Sequence, residues 1–345
     1  MIDPHDISAA VAELEVPEYR TRQVYEALTR GLVTDISQIT TLPLGLRSAL
    51  AQRLTPVSLS PMETYRAPRD AALKTLFSAA DGEPVEAVLM RYPKRATVCV
   101  SSQVGCAVGC SFCASGRLGL RRSLTAEEMV DQVLHFARSL REQGRSVTNV
   151  VFMGMGEPFH NYDETLRACR LLNDPEGFAL GARSIAVSTV GVVPGIDRFA
   201  EEPLQLHLAV SLHAATDALR DTLVPLNRTY PLDEVFGACA RYVRRTRRKV
   251  LFEYVVLAGV NDTDEQVQML SARVRPPHFH LNLIAYNETG AGGELRRPEA
   301  ARLAALHERL VAAGVSCTLR HSPGAEIEAA CGQLALRARG GPPQA

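Results

Sequence analysis

The sequence predicts an α/β fold: a partial parallel (β/α)6 barrel preceded by a small helical accessory segment. Three observations carry that expectation. Six apolar, β-rich runs recur beyond residue 95, helical patterns separate most of them, and the first ~90 residues lack this alternation.

Residues 1–91 are expected to form the accessory unit. Between Ile7 and Leu54 lie short helical patterns, among them Tyr19–Leu28 and Leu42–Leu54, the second opened by Pro43. Lys74–Ala79 and Val85–Met90 flank Asp81–Gly82, a turn dipeptide, and read as a hairpin leading into the larger domain. That domain, residues 92–336, carries the runs TVCVS (97–101), VTNVVFMG (147–154), SIAVST (184–189), LHLAVSLH (206–213), KVLFEYVVL (249–257) and HLNLIAY (280–286). In TAEEMVDQVLHFARSL, Met129, Val130, Val133, Leu134, Ala137 and Leu140 share one face, and Thr125 with Glu128 forms a capping box. VSCTLR, holding Cys317, reads as a last strand.

Six units are too few for a closed eight-unit barrel, but six parallel strands can curve into a partial one. Functional groups then collect at the strands' C-terminal ends. GMGE follows the second run, STVG the third, SLH ends the fourth and YN follows the sixth, so all four converge on one rim. Residues 337–345 (RARGGPPQA) are expected to be a disordered tail.

Composition narrows the function classes. The chain has 345 residues, 46% hydrophobic and 22% charged, with 38 cationic residues balancing 38 anionic ones. A nucleic-acid face would therefore have to be a local basic patch. The start, MIDPHDISAAVAELEVPEYR, is acidic where an export signal needs a basic beginning, and no stretch approaches the ~18 apolar residues of a membrane span. The expected location is cytoplasmic, with no membrane partner. Eight cysteines in that setting point to metal or redox chemistry rather than a disulfide framework.

The strongest local signal is GCAVGCSFCASG, in which Cys106, Cys110 and Cys113 stand between a strand and a capped helix. Three thiolates at this spacing can hold three irons of a [4Fe-4S] cluster and leave the fourth iron open, whereas an electron-transfer cluster uses four cysteines. A structural zinc site wants four ligands, and the nearest histidine, His135, lies well inside the following helix pattern. Phe112 either shields such a cluster or simply packs in the core.

The cysteine motif and its place after the first barrel strand resemble the radical SAM (S-adenosylmethionine) superfamily. The resemblance is closer still to its RlmN/Cfr family of RNA adenine methyltransferases. It runs through ATVCVSSQVGCAVGCSFCASG, VVFMGMGEPF, STVGVVPGID, SLHAATDALRDTLVPLN, VLAGVND and AACGQL, and covers essentially residues 1–336. It implies a radical SAM partial barrel with one [4Fe-4S] cluster on Cys106, Cys110 and Cys113, and two SAM molecules used per turnover. Gly156, Glu157, Ser188, Ser211, Leu212, His213 and Asn287 would line the SAM site. Read without the resemblance, Ser188 and Ser211 would be strand-end caps and His213 a core histidine as readily as a ligand.

The resemblance further implies that Cys331 is methylated at sulfur, that a 5′-deoxyadenosyl radical removes a hydrogen from that methyl group, and that the carbon radical adds to an adenine ring carbon. Cys99 would take the ring proton and displace Cys331 through a transient disulfide. Glu86 matches the position of a proton acceptor; a structural strand carboxylate is the alternative. Cys169, Cys239 and Cys317 read as buried small hydrophobes.

For RNA contact, Arg117, Arg121 and Arg122 follow the cluster loop, the run from Arg241 to Lys249 is dense in arginine, and Arg20, Arg22 and Gln23 lie in the accessory unit. The substrate expected is adenine C2 of 23S ribosomal RNA, with transfer RNA as a second target. The alternatives are C8 chemistry of the Cfr type, which confers antibiotic resistance, and a radical SAM reaction on a non-RNA substrate. The stretch CASGRLGLRRSLTAEEMVDQVLHF is Cfr-like, NETGAGGELRRP departs from the RlmN loop, and Glu326 stands where an Asp is usual. The implied partners are RNA and a flavodoxin- or ferredoxin-like electron donor, acting on a monomer.

Overall fold

The computed structural model describes residues 3–289, 295–320 and 323–334. The tail at 337–345 and the centre of the NETGAGGELRRP loop lie outside the described residues.

The chain begins with three short helices, α1 (Pro4–Glu13), α2 (Tyr19–Thr29) and α3 (Leu44–Ala51). Asp3 starts α1 by accepting the His5 N–H at 2.8 Å, and Pro43 immediately precedes α3. Next come three antiparallel strands, β1 (Leu59–Arg66), β2 (Ala72–Ala79) and β3 (Pro84–Tyr92). β2 and β3 are the hairpin expected around Asp81–Gly82; β1 was not legible. β4 (Arg95–Cys99) pairs antiparallel with β3 and parallel with β7 (Asn149–Phe152), so the sheet runs unbroken from the antiparallel strands into the barrel.

Between them lie the ribbon β5 (Gln103–Gly105) and β6 (Leu120–Ser123), the single turn α4 (Ala114–Arg117) and the long helix α5 (Ala126–Arg141). The barrel continues as α6 (Tyr162–Asn173), β8 (Ile185–Thr189), α7 (Val193–Glu201), β9 (His207–Ser211), α8 (Asp217–Leu223), α9 (Leu232–Thr246), β10 (Val250–Val256), α10 (Asp264–Arg273), β11 (Phe279–Ala285), α11 (Ala300–Ala312) and β12 (Cys317–Arg320).

The ten-stranded sheet has the order β1-β2-β3-β4-β7-β8-β9-β10-β11-β12. From β4 to β12 every neighbouring pair is parallel, as helices bridging successive strands demand. This is the open partial barrel expected, with VSCTLR supplying its last strand. The strands' outer faces meet the helices in one large core. α5 enters it with Met129, Val130, Val133, Leu134, Ala137 and Leu140, all buried, and starts with the expected capping box: Thr125 accepts the Glu128 N–H, and Glu128 accepts the Thr125 N–H. Among the described residues no helix is long and apolar enough to cross a membrane.

Candidate active site

The site is built on the segment that follows β4. Gln132 of α5 clamps Ser101 from both sides, accepting its N–H at 2.8 Å and donating to its carbonyl at 3.0 Å. Asn161 donates to the carbonyls of Ser102 and Leu124, tying the segment to the far end of the ribbon. Gly105 then takes a left-handed φ of 77°, with its Cα so close to β6 that a Cβ would lie 1.8 Å from the Gly119 carbonyl oxygen. The same oxygen accepts the Cys106 N–H at 3.0 Å, so the close approach fixes where the first thiol stands.

Cys106, Cys110 and Cys113 all face one cavity. Around them an apolar shell is formed by Val108, Phe112, Leu223, Val224, Val255 and Ile284 with their neighbours. Burial pushes Cys106 up to about 11 and Cys110 well above the ordinary thiol range, and the charges of neighbouring thiols add to both shifts. Bare, Cys106 and Cys110 are therefore protonated thiols, and a metal cation would reverse that. Among the described residues no three Cys, His, Asp or Glu side chains converge tightly enough for a single metal ion. Three thiols brought to one cavity by a single short loop fit a multinuclear cluster that leaves one iron open.

The strand ends complete the wall. Gly154 and Gly156 give a close approach, but to the chain itself. A Cβ on Gly154 would meet Ser101 Oγ at 2.7 Å, and one on Gly156 would meet Gln103 Cβ at 2.6 Å. Both glycines thus press the GMGE turn against the segment leading to the cluster loop. Glu157 is buried, accepts the N–H groups of Phe159 (3.0 Å) and Val190 (2.8 Å), and is pushed up to about 7 by burial. Ser188 and Ser211 line the cavity at the ends of β8 and β9.

His213 also lines it, in a left-handed conformation (φ 60°), with Nδ1 accepting the Val255 N–H at 3.1 Å and its ring edge-on to Phe112 at 4.6 Å. Burial pushes it down to about 3, so the ring is neutral. Phe112 both packs in the apolar shell and borders the cavity.

Two of the expected SAM residues do not line the cavity. Leu212 is fully buried in the main core; its N–H donates to the Glu253 carbonyl, and its own carbonyl accepts from Arg220. Its alternation with Ser211 and His213 turns its side chain outward. Asn287 instead ties the chain, donating to the Cys331 carbonyl at 3.5 Å while accepting from Arg297 at 2.9 Å.

Cys99 ends β4, and Cys331 lies on the C-terminal segment; both line the same cavity as the cluster-loop thiols. The structure carries no disulfide: all eight cysteines are free thiols. Burial pushes Cys99 far up, and the neighbouring Cys331 adds to the shift. Four donors hold the carbonyls of the Cys331 segment: Ala114 N to Gly332 (2.8 Å), Ser115 Oγ to Leu334 (2.7 Å), Asn287 to Cys331, and Lys74 to Glu328 (3.2 Å). Glu86 does not border the cavity. It is fully buried on β3, 3.1 Å from Lys74 Nζ, in an ion pair beneath that segment.

Sequence reading missed three charged groups. Arg220 is buried and donates to the carbonyls of Val190, Leu212 and Ser211 and to Asn227 Oδ1, stapling the ends of β8 and β9. Glu253 and Arg320 pair at 3.1 Å, and both line the cavity. A charged residue inside the apolar run KVLFEYVVL was the available signal for Glu253. The arginines proposed for RNA are largely satisfied by the chain's own acids. Arg121 pairs with Glu83, Arg122 with Asp81 and Glu128, Arg22 with Glu26, Arg241 with Asp197 and Arg245 with Glu201, while Arg20 donates to Gln23 and the Thr41 carbonyl.

Residues 100–270 match the Radical SAM superfamily. The partial barrel and its three-cysteine loop thus define a radical SAM enzyme, a class that uses SAM and a [4Fe-4S] cluster; the donor set on the loop fits that cluster. The crystal structure of a radical SAM methyltransferase from Sphaerobacter thermophilus superposes with a TM-score of 0.94 at 49% identity, covering 97% of this chain and 98% of that one. A probable dual-specificity RNA methyltransferase RlmN from Chloroflexus aurantiacus is 47% identical, covering 93% of this chain and 88% of its own length. The ribosomal RNA large subunit methyltransferase N of Nitrosopumilus maritimus is 40% identical over 96% of both. The chain belongs to the RlmN family of radical SAM RNA methyltransferases.

Proposed function

We propose that this enzyme methylates C2 of an adenine in 23S ribosomal RNA, and in transfer RNA as a second target, through a methylated Cys331. The observation that carries the reading is that Cys99 and Cys331, two free thiols from opposite ends of the barrel sequence, line the same cavity as the three-thiol loop. A radical SAM enzyme acting on a small molecule needs no such second pair. The names of the relatives support RNA as the substrate and the cytoplasm, where ribosomes work, as the location.

In this reading Cys106, Cys110 and Cys113 hold the cluster. Glu157, Ser188, Ser211 and His213 line the SAM side of the cavity, with Gly156 shaping the turn that presents Glu157. The cluster and SAM, when bound, supply hydrogen-atom abstraction, so each turnover uses two SAM molecules, one of them having loaded the methyl group on Cys331. The chain's own residues do the rest. Cys331 carries the carbon and presents it to the ring, an electrophilic amidine carbon that polar methyl transfer does not reach. The ring adduct gives up its unpaired electron to the oxidised cluster, Cys99 takes the ring proton, and, once that proton has passed to solvent, the Cys99 thiolate bonds to the sulfur of Cys331 as the sulfur–carbon bond breaks. The electron pair passes to the methyl carbon, which is protonated. The resulting disulfide is transient and is returned to two thiols by an external dithiol.

Leu212 and Asn287 serve by holding backbone, Asn287 at Cys331 itself. Glu86, locked to Lys74 outside the cavity lining, supports the segment that carries Cys331 instead of accepting the proton. A flavodoxin- or ferredoxin-like protein would supply the reducing electron. The target adenine must leave its stack to enter the cavity.

The test is nucleoside mass spectrometry of ribosomal and transfer RNA from a strain lacking this gene, with and without its restoration. Return of 2-methyladenosine is the expected result. Appearance of 8-methyladenosine would move the chain to Cfr-type chemistry, and the absence of both from cells containing cluster-loaded enzyme would overturn the RNA-adenine reading.

A further inference from the structure

Glu253 sits in a strand, VLFEYVV, that is otherwise apolar or aromatic. Strand alternation turns Phe252 and Tyr254 out to the main core, but Glu253 and Val255 into the cavity. Its Oε1 is taken twice. Asn282, directly opposite on β11, donates at 2.9 Å, and Arg320, at the end of β12, donates at 3.1 Å. Its Oε2 has no hydrogen-bond partner among the described residues, although the side chain is only 5% exposed. Of the residues with such an atom, Glu253 is the one that lines the cavity. The other buried carboxylate there, Glu157, has both oxygens on backbone N–H groups. A buried acceptor without a donor is destabilising, so a carboxylate held this firmly by three strands is set to meet a donor that enters the cavity.

We propose that Glu253 Oε2 accepts the exocyclic N6 amino group of the target adenine, which makes Glu253 the residue that tells this base from one carrying oxygen at C6. The inference rests on the RNA-adenine reading above. Position argues for the base rather than for SAM. Glu157, Ser188, Ser211 and His213, the residues placed at SAM, end or follow β7, β8 and β9. Glu253 and Arg320 belong to β10 and β12, and the chain runs from β12 into the segment bearing Cys331. Chemistry points the same way. A base turned out of its stack is read through its Watson–Crick edge, where adenine presents an N–H donor at N6 and hypoxanthine or guanine an acceptor, O6. Burial pushes the Glu253 carboxyl up and Arg320 draws it back down. With or without a proton, Oε2 keeps a lone pair that can accept N6–H.

The test is initial-rate methylation by cluster-loaded enzyme of RNAs that differ only at the target base. One carries adenosine, one purine riboside, which lacks the amino group, and one inosine, which has oxygen in its place; all three keep a hydrogen at C2. Wild type should favour adenosine over purine riboside by about 10- to 100-fold in kcat/KM, the size expected of a hydrogen bond to a charged group, and should favour inosine least. Glu253→Gln gives the sharper result. Arg320 and Asn282 are both donors, so they keep the amide oxygen where Oε1 stood and turn the amide NH2 to the place of Oε2. This variant should therefore reverse the order and take inosine in preference to adenosine. The ratios are read within one preparation, so a partly folded or partly loaded variant still reports them. An equal fall on all three RNAs, with or without a raised KM for SAM, overturns the proposal, and so does a wild type that treats adenosine and purine riboside alike. Where Glu253→Gln yields no enzyme, Glu253→Ala decides: its preference for adenosine over purine riboside should fall to near one, and an intact preference overturns the proposal. Wild type that methylates none of the three would sink the RNA-adenine reading itself, and this inference with it.

Discussion

Replacing Gly105 by alanine tests how closely the cluster loop depends on backbone contact. The new Cβ would lie 1.8 Å from the Gly119 carbonyl oxygen. Even a close carbon–oxygen contact is about 3.3 Å, so β5 and β6 would have to part by about 1.5 Å. That oxygen is the acceptor for Cys106 N–H, and losing the bond costs about 1 kcal/mol. The positive φ adds about 1 kcal/mol for a residue with a Cβ, and overpacking against fixed backbone about 1–3 kcal/mol more. About 3–5 kcal/mol therefore falls on a ribbon of two short strands, which has little stability of its own.

Gly109 is the internal control. It shares the loop and a positive φ of 71°, but a Cβ there meets nothing within 4 Å, so alanine should cost only about 1 kcal/mol. Iron and acid-labile sulfide per chain after anaerobic reconstitution, with circular dichroism to follow the fold, are the measurements. Gly105→Ala should lose most of its iron while keeping its helix content, and Gly109→Ala should keep most of it. Equal iron in Gly105→Ala and wild type, or the reverse order of the two variants, would refute the reasoning.

Other expectations follow from the same geometry. Lys74→Met removes the ion-pair partner of the buried Glu86 carboxylate and should cost about 3–5 kcal/mol in denaturant unfolding, while Lys74→Met with Glu86→Leu should recover most of it; an equal loss in the double variant would show the charge pair is not the cause. Glu157, pushed up to about 7 from an ordinary 4.5, binds its proton more tightly in the folded chain than in the unfolded one. The stabilisation is fully present below pH about 4.5 and is lost as pH rises through about 7, amounting to about 3 kcal/mol. Glu157→Gln should flatten that part of the metal-free protein's stability curve, and an unchanged slope would assign it elsewhere. Cys99→Ala should accumulate protein covalently linked to RNA and Cys331→Ala none, by denaturing gel and mass spectrometry; the opposite pattern would exchange the two roles.

Local signals carried most of the architecture. The capping box of α5, the Asp81–Gly82 hairpin and the six barrel strands were legible because each depends on residues within a few positions of one another. β1 was not, since LSPMETYR carries Pro61 at a register shift and is half exposed along an edge. At the site the thiols and strand-end residues were readable from motifs and their resemblance. The Glu253–Arg320 pair, 67 positions apart, and the Arg220 staple depend on which strands become neighbours, which no local pattern encodes. The pairing of the arginines expected at RNA was hidden for the same reason: Arg121 looks unpaired in sequence, but its acid, Glu83, is 38 positions away.

The segment bearing Cys331 is gripped by Lys74 from one side and by Ala114 and Ser115 from the other. A polypeptide leaves the ribosome from its N-terminus, so both jaws of that grip are made long before the piece they hold. During synthesis the three-thiol loop therefore exists for an interval before the Cys331 segment emerges and docks against Ala114 and Ser115. Delivery of iron and sulfide has its widest approach in that interval, and the same docking that finishes the catalytic cavity narrows the way in.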